Sequence, residues 1–244
     1  MAAKEHYDQH LADIYTWMVG DFDTRQKEHQ QFLVANGLSP QRTSVALDLG
    51  AGHGIQSVSL AKLGYTVKAI DFNRQLLSEL IDNTHMLAVT GFNDDIRLVK
   101  KYADPEPELI ICWGDTLTHL ESLDEIRQLV SDCCESLIEG GKLILSFRDY
   151  STALLGDQRF IPVKSDDTKI LTCCLDYEAD RVRVTDLLQV KTENGWQQKV
   201  SSYYKVRVSP NDVVKILADC GLRIAFNEVV NRMTTIIAIK AVSR

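Results

Sequence analysis

The sequence predicts an α/β fold built on a mostly parallel sheet. Short apolar runs alternate with segments of helical spacing between residues 45 and 147, which is the pattern of strands joined by crossover helices. The first run closes on Gly50-Ala-Gly52-His-Gly54, a glycine turn able to carry a strand directly into a helix. Beyond residue 157 the rhythm changes to a period of two, which reads as antiparallel hairpins.

Taken in order, Leu11, Ile14, Tyr15 and Met18 fall at helical spacing, as do Phe32 and Leu33, so residues 1–40 read as helices. Residues 45–49 form the first strand, and residues 55–63 a helix stopped by Gly64. Residues 66–71 are a second strand, after which Asn73 can cap a helix through Leu80. Residues 86–92 read as a third strand and residues 96–102 as a short helix. A fourth strand covers 108–113. An amphipathic helix covers 122–139 and closes on Gly140-Gly141. Residues 142–147 are the fifth strand. The β-rich runs 158–164, 168–177, 181–191 and 196–208 are parted by Asp166-Asp167, Ala179-Asp180 and Asn194-Gly195. Ser209-Pro210 opens a helix to Cys220, and strands follow near 222–230 and 233–242. One domain is expected, with N-terminal helices over 1–40, a core over 41–157, an antiparallel insertion over 158–208 and a C-terminal helix and strands over 209–244.

Composition narrows the function. The net charge is -7 and no Lys/Arg-rich block occurs. Polynucleotide binding needs a basic footprint, so no nucleic acid partner is expected, and an anionic membrane surface is equally unsuited. No apolar run approaches the roughly 20 residues of a membrane span, and the first residues lack the apolar stretch of a secretion signal. The six cysteines include no Cys-x-x-Cys spacing, so no metal site is predicted and a reducing, cytoplasmic location is expected.

The glycine turn carries the chemistry. Its backbone lets a ligand approach closely, and the helix that follows presents unpaired N–H groups. A dinucleotide loop would space its glycines G-x-G-x-x-G. Here Gly54 comes one residue early, and Asp48 stands two residues before Gly50, which fits an S-adenosylmethionine loop better. Asp71 ends the second strand about twenty residues on, where a carboxylate accepts both ribose hydroxyls. Asp95 and Ile96 follow the third strand. Adenine recognition and a plain helix cap both fit Asp95.

These segments resemble the class I S-adenosylmethionine-dependent methyltransferases and, within that group, glycine N-methyltransferase. The resemblance rests on Tyr7-Asp-Gln, Gly20-Asp21 with Arg25, Leu47 to Gly54, Ile110 to Leu120, Arg148-Asp-Tyr150 and Ser202-Tyr-Tyr204. It implies a Rossmann-like sheet with an antiparallel last strand and a hairpin insertion after the fifth strand that caps the substrate side. It implies cofactor contacts at Tyr15, Arg25, Gly50, Asp71, Asp95, Ile96, Trp113 and His119, with Arg25 on the methionine carboxylate. It places Arg148 on a substrate carboxylate, with Asp115 nearby where the group has asparagine. Tyr15 stands for a tryptophan and Met18 for a tyrosine. These departures leave open both glycine as the acceptor and a homo-oligomer.

The expected activity is methyl transfer from S-adenosyl-L-methionine to a small amine or amino-acid-like metabolite. Arg148 and Asp115 are the candidate substrate-side residues. A salt bridge is the alternative for Arg148, and an Asx turn for Asp115. Trp113 reads as part wall and part core, and His119 as a packed residue or a site residue. Tyr203 and Tyr204 alternate across a strand, so one of them faces the site and the other packs in the core. Two other functions fit the glycine turn. One is an NAD-dependent oxidoreductase and the other a non-catalytic S-adenosylmethionine-binding regulator.

Overall fold

All five positions of the strand Val45–Leu49 (β1) are buried, which requires cover on both faces. β1 obtains that cover by lying inside a seven-stranded sheet. The computed structural model describes residues 3–242. Its helices are Ala3–His6 (α1), Ala12–Val19 (α2), Phe22–Ala35 (α3), Ile55–Lys62 (α4), Arg74–Thr84 (α5), Leu123–Ser136 (α6) and Pro210–Asp219 (α7). A π turn over Tyr7–Leu11 joins α1 to α2. The remaining strands are Thr66–Asp71 (β2), Val89–Asn93 (β3), Leu109–Cys112 (β4), Lys142–Phe147 (β5), Phe160–Ser165 (β6), Lys169–Tyr177 (β7), Arg181–Thr192 (β8), Gly195–Val206 (β9), Leu222–Val230 (β10) and Met233–Lys240 (β11).

The large sheet runs in the order β10-β11-β5-β4-β1-β2-β3. β1, β2, β3, β4 and β5 pair in parallel, and β11 lies antiparallel to β5. Helices cover both faces. Leu129, Val130, Val213 and Ile216 pack on one side, and Leu33, Leu38 and Leu60 on the other. The helix starts are set by side chains in the chain itself. Asp21, Asn73 and Ser122 each accept from an N–H of the first turn, and Ser209 forms a reciprocal capping box with Asp212.

The third strand begins at Val89 rather than residue 86, and Met86 is exposed. The reason is that α5 continues past Leu80 to Thr84, so residues 85–88 serve as the turn. The helix expected to reach residue 139 ends at Ser136. Leu137 is extended there, and the Ile138 N–H donates to Pro107 O at 3.1 Å. Apolar residues at 137 and 138 had prolonged the helical pattern beyond the helix itself.

The strands β6-β7-β8-β9 form a separate antiparallel sheet. Leu171 and Leu188 of this sheet pack against Leu11 and Ile14, with Trp17 and Met18 beside them. The N-terminal helices therefore rest on the insertion. One buried polar contact pins them. His6 is fully buried, with Nδ1 at 2.8 Å from Ser201 Oγ and Nε2 at 3.0 Å from Asp186 Oδ2. Its ring stacks on Tyr203 at 4.1 Å.

Replacing His6→Ala strips Asp186 of this partner inside the protein. Removing one member of such a buried pair costs about 3 kcal/mol or more. The expected result is a fall of about 6–12 °C in Tm by calorimetry. An unchanged Tm would show that this contact does not secure the N-terminal helices.

Candidate active site

A cavity of about 220 Å³ opens at the C-terminal ends of β1, β2, β3 and β4, the edge where open α/β sheets bind ligands. Its floor is the glycine loop. The Gly50 and Ala51 N–H groups donate to Ile70 O at 2.8 and 3.2 Å, which ties the loop to β2. Gly50 has φ 75°, and a Cβ there would collide with the Thr116 side chain. Gly52 has φ 53°, and a Cβ would lie 3.2 Å from the Tyr15 hydroxyl. The absent side chains make this part of the cradle. Gly54 serves packing instead, since a Cβ there would meet Leu80 at 3.0 Å.

Asp71 faces the cavity from the end of β2. Its Oδ2 accepts from Gly52 N and its Oδ1 from Asn73 N, both at 2.8 Å. Burial holds its carboxyl above the usual range, against the pull of these two donors. Each oxygen keeps a second lone pair for a ligand hydroxyl. Asp95 also lines the cavity while capping the short helix Ile96–Tyr102 through Arg97 N at 2.9 Å. The helix cap is thus present, and the same carboxylate borders the cavity. Ile96 lies beside it. Asp71, Asp95, Glu121 and Glu125 line the cavity with Lys4 and Arg97, the last paired with Asp95 at 2.6 Å and Glu125 at 3.0 Å, so carboxylates outnumber cations there and the environment suits a cationic ligand.

Tyr15 and Tyr7 close the cavity from the N-terminal helices. Burial raises both hydroxyls well above their ordinary pKa. The Tyr7 ring lies 5.6 Å from His119. His119 lines the cavity too. Burial, followed by the Lys205 ammonium, pushes its imidazole down to about 3, so it is neutral. Its Nδ1 is buried without a partner among the described residues.

Asp115 sits one layer behind this wall at φ 75°, a strained conformation for a residue with a side chain. Four donors hold it. Its Oδ1 accepts from Arg148 N and Thr118 Oγ1, both at 2.9 Å. Its Oδ2 accepts from Tyr150 Oη at 3.0 Å and from the buried Lys205 ammonium. Burial alone would raise this carboxyl, but Lys205 and the Arg148 N–H hold it below the usual carboxylate range. The Arg148 guanidinium is half-exposed and comes no closer than 3.9 Å to Asp115.

The expected site residues thus divide. Tyr15, Gly50, Gly52, Asp71, Asp95, Ile96 and His119 meet around the cavity. Arg25 stands outside it, half-exposed, with its guanidinium 3.0 Å from Glu28. Trp113 packs edge-on against His29 and Phe32. Asp48 turns inward to accept from Ser57 Oγ at 2.6 Å. Arg148 and Asp115 come together at the end of β5 and the start of the Thr116–His119 turn. Tyr203 is the inward tyrosine of its pair. Tyr204 does not join the core but lies under Arg181 on the other face of the strand, 4.0 Å from the guanidinium to the ring. Tyr7, Phe72, Tyr150 and Lys205 had no assigned site role from the sequence. Alternation along β9 carries the signal for Lys205, because Ser201, Tyr203 and Lys205 share the buried face.

Residues 47–145 match the family model described as a methyltransferase domain. The chain is 30% identical over 139 residues to a glycine/sarcosine/dimethylglycine N-methyltransferase from Actinopolyspora halophila, covering 55% of this chain and 24% of that one. It is 27% identical to a glycine/sarcosine N-methyltransferase from Halorhodospira halochloris, covering 62% of this chain and 58% of that one. The matches therefore span less than two thirds of either relative. Among solved structures, the CcbJ methyltransferase from Streptomyces caelestis superposes with a TM-score of 0.77 at 19% identity, covering 97% of this chain and 98% of that one. An S-adenosylmethionine-dependent methyltransferase from Clostridium acetobutylicum superposes with a TM-score of 0.69 at 18% identity, covering 97% of each chain.

Asp48 gives a test by pH. Burial pushes its carboxyl up to about 7, from roughly 3.9 in an unfolded chain. The folded state therefore binds the proton more tightly, and stability is lost as pH rises between those values. The isosteric Asp48→Asn does not titrate. Its stability relative to the parent should rise from pH 4 to pH 7 and then level off, read from urea midpoints. A difference independent of pH would contradict the shift.

Proposed function

From the methyltransferase-domain match and a fold shared with S-adenosylmethionine-dependent methyltransferases over nearly the whole chain, we propose that the protein transfers a methyl group from S-adenosyl-L-methionine to a small acceptor. The acceptor is an amine or an amino-acid-like metabolite. The observation that carries this is the cavity itself: a glycine cradle, a carboxylate at the end of β2 and an acidic lining lie together at one sheet edge.

The residues fit the donor. Gly50 and Gly52 keep the loop backbone bare against the cavity residues Thr116 and Tyr15, which a Cβ would run into, and the His119 Nδ1 is a buried polar atom with no partner among the described residues. Asp71 takes the ribose hydroxyls, and Asp95 with Ile96 the adenine. Arg25 is the candidate for the methionine carboxylate, which requires it to leave Glu28. S-adenosylmethionine supplies a methyl already activated on sulfur, and the acceptor's lone pair forms the new bond as the carbon–sulfur pair returns to sulfur. The chain's task is then alignment and exclusion of water, worth on the order of 7–11 kcal/mol. Arg148 holds the acceptor's carboxylate as a bidentate partner. Asp115 fixes the backbone of Arg148 and acts as a positioning residue. A net charge of -7 disfavours a polynucleotide acceptor. Among the described residues, no helix is long and apolar enough to cross a membrane. We further propose a cytoplasmic enzyme. The early Gly54 and the methyltransferase relatives tell against an oxidoreductase.

Asp71→Ala should weaken S-adenosylmethionine binding at least about tenfold in calorimetry, the loss of roughly 1.4 kcal/mol. Unchanged affinity would remove Asp71 from the ribose. Arg148→Ala should leave that affinity intact while abolishing transfer of labelled methyl to the acceptor that a metabolite screen identifies. Normal turnover would take Arg148 out of the acceptor site. Cofactor binding with no transfer to any metabolite would favour a regulator.

A further inference from the structure

Lys205 is 7% exposed, and buried lysines are rare unless paired. Its ammonium donates to Asp115 Oδ2 and stands 5.7 and 5.8 Å from the ring centres of Tyr150 and Tyr203. A carboxylate with two phenol faces is a recognition site for an alkylammonium ion. This site lies one layer behind the cavity, since Tyr203 stacks at 5.5 Å on His119, which lines it. Asp115 itself falls between the lining residues Gly114 and Thr116.

We propose that Lys205 is a specificity-determining residue: its ammonium fills the cation site of Asp115, Tyr150 and Tyr203 from within, so the pocket takes an acceptor whose reacting group arrives uncharged and whose charged end is anionic. The inference rests on the methyl-transfer reading and deepens it by naming the charge class of the acceptor. All four acceptor positions of Asp115 are filled, so an incoming ammonium gains no carboxylate there. The neighbouring Asp149 is turned away to Ser151 N and Oγ at 2.8 and 2.6 Å. Asp186 is engaged by His6 and by the Cys173 thiol. With the Lys205 ammonium set against Asp115 and His119 neutral, the half-exposed Arg148 guanidinium is the cation this end presents to an acceptor.

The test uses the full chain with S-adenosylhomocysteine bound, and propylammonium and propionate as probes. In the parent protein, propionate should raise the thermal midpoint and propylammonium should not. In Lys205→Ala, the vacated site should accept propylammonium, giving a saturable rise of several degrees that Lys205→Ala/Asp115→Asn lacks. With an acceptor in hand, propylammonium should restore turnover to Lys205→Ala through the acceptor KM, and Lys205→Arg should keep it low. Propylammonium stabilising the parent as well as propionate overturns the proposal, as does a folded Lys205→Ala that ignores propylammonium. If Lys205→Ala does not fold on its own, it should fold when propylammonium is present, and failure to do so overturns the proposal. These are binding readouts, so absence of methyl transfer would sink the enzymatic reading without altering them.

Discussion

The site depends on the satisfaction of one buried carboxylate. Asp115 draws its donors from four places: the turn after β4, the backbone and the tyrosine beyond β5, and the inner face of β9. An ionised carboxylate in this position costs several kcal/mol unless its partners are all present. Satisfying it therefore locks the sheet edge to the insertion. That lock fixes Gly114 and Thr116 in the cavity wall, and it sets the backbone from which Arg148 projects. The φ of 75° at Asp115 shows that the surroundings, not local preference, hold the residue there.

The same strand serves the other wall. Ser201, Tyr203 and Lys205 are alternate residues on one face of β9. Ser201 binds His6 and so holds the N-terminal helices, Lys205 binds Asp115 and so holds the sheet edge, and Tyr203 is stacked between His6 and His119. A strand outside the Rossmann-like core thus aligns two parts of the cavity that are distant in sequence. The insertion is structural support for the cavity.

What the sequence made legible follows from how local each signal is. The glycine turn and Asp71 could be placed because their spacing is set by a strand, a turn and a helix in continuous chain. The hairpins were legible for a similar reason, since period two and turn residues are local. Lys205 was obscure because alternation along β9 marks only the face it shares with Ser201 and Tyr203, not the carboxylate it meets there. Its partner is 90 residues away, and lysine by itself reads as solvated. Asp48 misled in the opposite direction. Its position in the loop motif suggested a ligand contact, whereas the fold turns it beneath α4 to Ser57. Arg25 lies in the region read as helical, yet its long side chain pairs with Glu28 outside the cavity.

The pairing of Asp115 with Lys205 also changes how the departure from the related enzymes is read. An aspartate in place of an amide, taken alone, adds a negative charge beside the acceptor and argues for a cationic substrate. With the lysine included, the added charge is cancelled before any acceptor arrives. The position is then electrostatically close to the amide it replaces, although it is held by more donors and is more rigid. On the proposed reading, selectivity passes to the carboxylates that line the cavity and to the half-exposed Arg148. On that same reading, a cationic sulfonium and an anionic acceptor are drawn to opposite ends of one site, which orients them toward each other.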